Sequence, residues 1–189
     1  MKHASHLFAA AVCAAALAGA PAHAQDFKAG LWEINSKVQP GGGQLAQAVS
    51  AMQKQMAGMS PEQRQMMEGM LAKQGVSLSS VNGNSAVVKI CVSKEMAAQR
   101  QLPMQTNGNC TQTRGAMTGN TMKVSISCAN PPTTGDGTAT FSSDSAFTAS
   151  MHMTTQLRGQ AETMAVDSSG RWLGADCGSV RPPPMPAAQ

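Results

Sequence analysis

Methionine and cysteine are the residues of this chain best placed to do chemistry. Fourteen of its fifteen methionines follow Met1, and thioethers are soft ligands that suit Cu(I). Met52 and Met56, like Met66 and Met70, stand four residues apart, which puts each pair on one face of a helix. Met151-His152-Met153 sets an imidazole between two thioethers. On a strand, Met151 and Met153 point to one face and His152 to the other, so the three cannot close on one ion. Methionine at helical spacing also makes an adaptable apolar surface, which needs no metal. The expectation is therefore apolar packing or contact for Met52, Met56, Met66 and Met70. Cu(I) binding through methionine is the alternative. No metal, cofactor or catalytic residue is assigned.

Cysteine points to structure rather than catalysis. Cys13 falls in an N-terminal apolar run, which leaves Cys91, Cys110, Cys128 and Cys177. No C-x-x-C occurs, so zinc knuckles and ribbons are poor matches. Four cysteines in an exported chain predict two disulfides, with three possible connectivities. The working expectation is Cys91–Cys110 and Cys128–Cys177. After residue 24, His152 is the one histidine. G-x-S-x-G, H-E-x-x-H, phosphate loops and paired-carboxylate motifs are missing. Asp144, Asp167 and Asp176 sit in turn-like contexts, where Asp bonds its own backbone. The chain is expected not to be an enzyme.

Residues 1–24 have the three parts of a secretory signal peptide: Lys2, the apolar run Leu7–Ala20, and the small-x-small triplet Ala22-His23-Ala24. Cleavage after Ala24 predicts a periplasmic product starting at Gln25. The run is too short to span a bilayer, and no transmembrane anchor is expected. The full chain carries a formal charge of +4, of which Lys2 supplies one. With no basic stripe and no tyrosine, nucleic acid is excluded as a partner.

These residues must be positioned by one domain, 25–180, followed by a proline-rich tail, 181–189, expected to be disordered. Ala29–Val38 alternates as a strand with Trp32 inward. After Pro40-Gly41-Gly42-Gly43, Gln44–Lys73 reads as a helical hairpin. Leu45, Val49, Met52 and Met56 form one stripe and Met66 and Met70 the other. Ser60-Pro61-Glu62-Gln63 gives a capping box between the helices. Ser85–Val92, Cys110–Thr118, Thr121–Cys128, Gly137–Ser142, Ala146–Leu157 and Glu162–Val166 read as strands. Ser93–Gln99 reads as a short helical turn. Pro131-Pro132 with Gly135 reads as a loop, and Ser168-Ser169-Gly170 as a turn. The fold class is α+β, mainly β: an antiparallel meander or partial barrel, curved over an inserted Met-rich helical hairpin. Such a fold would present an apolar groove, lined by Trp32, Met52, Met56, Met66, Met70 and Trp172. It suits a hydrophobic small molecule, a lipid or an envelope protein.

Gly30-Leu31-Trp32-Glu33, Cys91-Val92-Ser93, Cys110, Cys128 and Gly170–Gly178 (GRWLGADCG) occur in an order that resembles an exported proteobacterial family, domain of unknown function 3617. The resemblance covers Phe27 to Gly178. It implies a periplasmic single-domain protein and brings no catalytic residues with it.

Overall fold

A computed structural model describes residues 27–99 and 110–183. The expected signal peptide, 1–24, and the last part of the tail, 184–189, lie outside the described residues. The elements run β1 (Gly30–Pro40), α1 (Gly43–Ala57), α2 (Pro61–Lys73), β2 (Val76–Asn82), β3 (Ser85–Val92), α3 (Lys94–Ala98), β4 (Cys110–Thr118), β5 (Thr121–Ala129), β6 (Pro132–Ser143), β7 (Ala146–Leu157) and β8 (Gln160–Gly174). The eight strands form one sheet, in the order β2-β3-β1-β8-β7-β6-β5-β4, not closed into a barrel. Every pairing is antiparallel. Short turns make β4 to β8 a meander and β2–β3 a hairpin. At β7–β8 the turn needs two positive φ angles, Arg158 at 50° and Gly159 at 80°, the geometry that matches strand twist.

One face of the sheet carries the core. Period-two alternation sends Met122, Val124 and Ile126 of β5 inward, with Trp32, Ile34, Ala139, Phe141, Phe147 and Met151 from neighbouring strands. Phe27 stacks on Trp32 with ring centroids 4.2 Å apart and meets Phe141 and Phe147 edge-on or tilted. All five aromatic residues beyond residue 26 belong to this cluster or pack against it. Helix α3, N-capped by the Ser93 hydroxyl, adds buried Met96 and Ala97.

Several local expectations are corrected. The stretch from Pro132 is strand, not loop, because proline is tolerated at the first position of a strand. At Gly135 an added Cβ would lie 2.8 Å from Met153 Cγ, so the glycine is a socket for a neighbouring side chain rather than a turn. Ser168–Gly170 likewise continues β8, and the Phe147 ring occupies the space over Gly170. Strand β2 was not foreseen.

The disulfides are Cys91–Cys177 and Cys110–Cys128, with Cα–Cα distances of 5.5 and 3.9 Å. This overturns the expected Cys91–Cys110 and Cys128–Cys177. The β4–β5 turn and a register shift between Arg114 and Met117 put Cys110 directly across from Cys128. Cys91 pairs across from Leu31, and Leu31 from Gly174, so β1 brings Cys177 within reach of Cys91.

The helices also differ from expectation. Neither α1 nor α2 buries a single residue. They do not pack along each other: α1 rests against β1 and β8, and α2 lies on β2. The helical pair therefore stands at the margin of the sheet, and among the described residues only its Leu71 packs against the core.

Candidate functional site

The helical pair is held at defined points. In α2, Gln63 N–H donates to the Ser60 hydroxyl at 3.3 Å, and Gln63 Oε1 accepts from Ser60 N–H at 2.9 Å. Ser60 Oγ donates to Glu62 at 2.8 Å, and this bond leads the causes that hold the Glu62 carboxyl below its ordinary value. A negative charge there also suits the positive end of the helix. In α1 no residue of the first turn is acidic. The charge comes instead from β8: buried Glu162 accepts the Gln44 N–H at 2.9 Å. Gly43, at φ 63°, leaves room for that carboxylate, since a Cβ there would come within 2.6 Å of both oxygens. Gln53 Nε2 donates to Asn84 at 2.6 Å, tying the helix to the β2–β3 turn.

Held in this way, the helices direct their methionines outward. Met52, Met66 and Met70 are 55%, 65% and 62% exposed, and are the most exposed large hydrophobic residues among those described. Leu45, Val49 and Met56 are half-buried on the inner side of α1. In α2 the inner side carries Met67 and Leu71, one residue on from Met66 and Met70. One residue is about 100° of helical rotation, so the expected α2 stripe faces solvent.

The two tryptophans anchor the core instead of lining a groove. Trp32 is fully buried and donates Nε1–H to the Lys28 carbonyl at 2.8 Å. Trp172 donates to the Ala29 carbonyl at 3.0 Å beneath the Lys28 ammonium, 5.0 Å from the ring centroid. The six residues assigned to a shared groove are thus not brought together. A recess of about 320 Å³ lies between α2, β2 and Ser179–Val180, and none of the six lines it.

A larger cleft, about 780 Å³, opens on the opposite face of the sheet from the core. Its floor is a row of five in-register hydroxyl residues on β4 to β8: Thr111, Ser127, Thr134, Thr154 and Thr163. The adjoining row runs Thr113, Ser125, Asp136, His152. His152 stands here, while Met151 is buried on the core face, so the Met-His-Met triplet does not converge. Sequence reasoning did not find this cleft. Its signal was the hydroxyl at alternate positions of successive strands, which becomes a row only once register is known.

Comparison with known proteins places the chain. It is 40% identical over 127 residues to a Pseudomonas putida protein named "Uncharacterized protein in lpd-3 5'region", an overlap covering 67% of this chain and 84% of that relative. No solved structure matches it. Residues 27–177, from the aromatic clamp to the second cysteine of the Cys91–Cys177 bridge, match a single family model. The chain belongs to the family described as Protein of unknown function (DUF3617).

Proposed function

We propose that this protein is a non-catalytic, periplasmic binding module that offers the outward methionines of its helical pair to an apolar partner: a lipid, a hydrophobic small molecule or an envelope protein. One observation carries the reading. Twenty-eight residues of capped helix contribute nothing fully buried to the core, yet keep three methionines more than half exposed. Met66 and Met70, four residues apart on one helix, expose a shared apolar face, and an exposed apolar patch marks an interaction surface. Methionine suits one because its flexible thioether adapts to different shapes. Export after cleavage at Ala24 is part of the proposal. Two disulfides support it, since such bonds persist in oxidising compartments. Among the described residues, no helix is long and apolar enough to cross a membrane.

Replacing Met52, Met56, Met66 and Met70 together by leucine tests this reading against copper. Leucine preserves apolarity and volume but cannot ligate Cu(I). The variant should bind an environment-sensitive apolar dye as the wild type does. Sub-nanomolar Cu(I) binding by the wild type, lost in the variant, would overturn the proposal.

A further inference from the structure

We propose, resting on the contact-surface reading above, that Met52, Met66 and Met70 are oxidation sites: a peroxide converts them to methionine sulfoxide, which removes the apolar surface and leaves the fold intact.

Only an accessible thioether meets an oxidant. Among the described methionines, Met52, Met66 and Met70 are more than half exposed, and all three lie on the helical pair. Met96, Met122 and Met151 are buried in the core, and the others are half-buried. A buried sulfur reacts only after local opening of the structure around it. Competing groups are withdrawn as well. Cys91, Cys110, Cys128 and Cys177 are all held in disulfides, so the described residues include no thiol. The chain has no tyrosine. Trp32 is fully buried, and Trp172 is half-buried beneath the Lys28 ammonium. The readily oxidised and freely accessible side chains are thus gathered on two helices.

The step is an oxygen-atom transfer. A lone pair on the methionine sulfur attacks one oxygen of hydrogen peroxide, and the S–O bond forms as the O–O bond breaks. Sulfur gives up two electrons. The departing hydroxide takes the proton from the transferred oxygen and leaves as water. A flexible apolar side chain becomes a polar, chiral one. Met66 and Met70 share a helix face, so both oxygens fall on one patch. The bonds that hold the helices use no methionine side chain: the capping box joins Ser60 and Gln63, and Glu162 accepts the Gln44 N–H. Neither helix buries a residue. Oxidation therefore changes the polarity of the surface without touching what anchors it, whereas the same change at Met122 or Met151 would disrupt packing. Methionine sulfoxide reductases reverse the reaction by supplying two electrons and two protons, with release of water.

The test exposes the mature, disulfide-bonded chain to hydrogen peroxide and follows sulfoxide at each methionine by peptide mass mapping. Melting temperature and binding of anilinonaphthalene sulfonate, an environment-sensitive apolar dye, are measured on the same samples. Met52, Met66 and Met70 should oxidise at least about tenfold faster than Met96, Met122 and Met151. Dye binding should be largely lost as the three sites oxidise, with the melting temperature within a few degrees of the untreated protein. The variant with all three replaced by leucine, which has no sulfur to oxidise, should bind the dye and keep binding it through the same exposure. Oxidation spread evenly over buried and exposed methionines would overturn the proposal. So would dye binding that survives sulfoxide at all three sites, a collapse of the melting temperature, or equal loss of binding in the leucine variant. Failure of the untreated protein to bind the dye would instead overturn the contact-surface reading itself, and this proposal with it.

Discussion

Trp32 and Trp172 are cross-strand partners on β1 and β8, and each donates its indole N–H to the segment just before β1, at the carbonyls of Lys28 and Ala29. The pair clamps the start of the domain and holds Phe27 over the core. Trp32→Ala should cost about 3–5 kcal/mol, the usual range for emptying a large buried aromatic site. Trp172→Phe keeps a ring but leaves the Ala29 carbonyl without its donor, and should cost about 1 kcal/mol. Urea denaturation of the two variants checks the order.

The two disulfides should differ in their contribution. Cys91–Cys177 spans a sequence separation of 86 and Cys110–Cys128 one of 18. Chain-entropy estimates for loops of these sizes are about 4–5 and about 3 kcal/mol. Replacing Cys91 and Cys177 by alanine should therefore destabilise more than replacing Cys110 and Cys128. Non-reducing peptide mapping should recover Cys91 linked to Cys177, and a Cys91–Cys110 peptide would contradict the fold.

Glycine sockets give a sharper contrast. Gly170→Ala would drive a methyl group into the Phe147 ring, whereas a Cβ at Gly174 meets nothing within 4 Å. Overpacking costs typically about 1–3 kcal/mol, so Gly170→Ala should lower the melting temperature clearly and Gly174→Ala little. Equal effects would show that Phe147 can move aside.

These sockets also explain what could and could not be read from the sequence. The alternation of Thr121–Cys128, the capping box at Ser60 and the inward Trp32 are local signals, and each element formed where its signal stood. Gly135 and Gly170 misled because a glycine that accommodates a neighbour looks, in sequence, like one that turns the chain. The disulfide pairing depended on a register shift between Arg114 and Met117, which nothing local announces. The outward turn of Met66 and Met70 depended on whether α2 would seat Leu71 or Met70 on the sheet. Both sets have helical spacing, and spacing fixes a face without fixing its direction. The hydroxyl row of the cleft is composed across five strands and exists only in their register.

Acid should weaken the N-terminal clamp. Ser145 Oγ donates to Asp144 at 2.8 Å, and Lys28 Nζ lies 3.1 Å from its other oxygen. Led by the Ser145 bond, these partners hold the Asp144 carboxyl below its ordinary 3.8. A carboxyl with a depressed folded-state value contributes its stability in full above the unfolded value and loses it as pH falls through the folded one. The melting-temperature advantage of the wild type over Asp144→Asn should be constant near neutrality and shrink below pH about 4. An advantage that grows on acidification would contradict the assignment.

The most direct test of the central claim separates binding from folding at the helical pair. Met52, Met66 and Met70 are exposed and contribute little to the core, so replacing all three by glutamine, a good helix former, should leave the melting temperature within a few degrees of the wild type, roughly a 1 kcal/mol effect at most. Titration of the mature triple variant with an environment-sensitive apolar dye should show binding largely lost, while the corresponding leucine variant retains it. Unchanged dye binding in the folded glutamine variant would contradict the claim that these methionines form the protein's apolar contact surface.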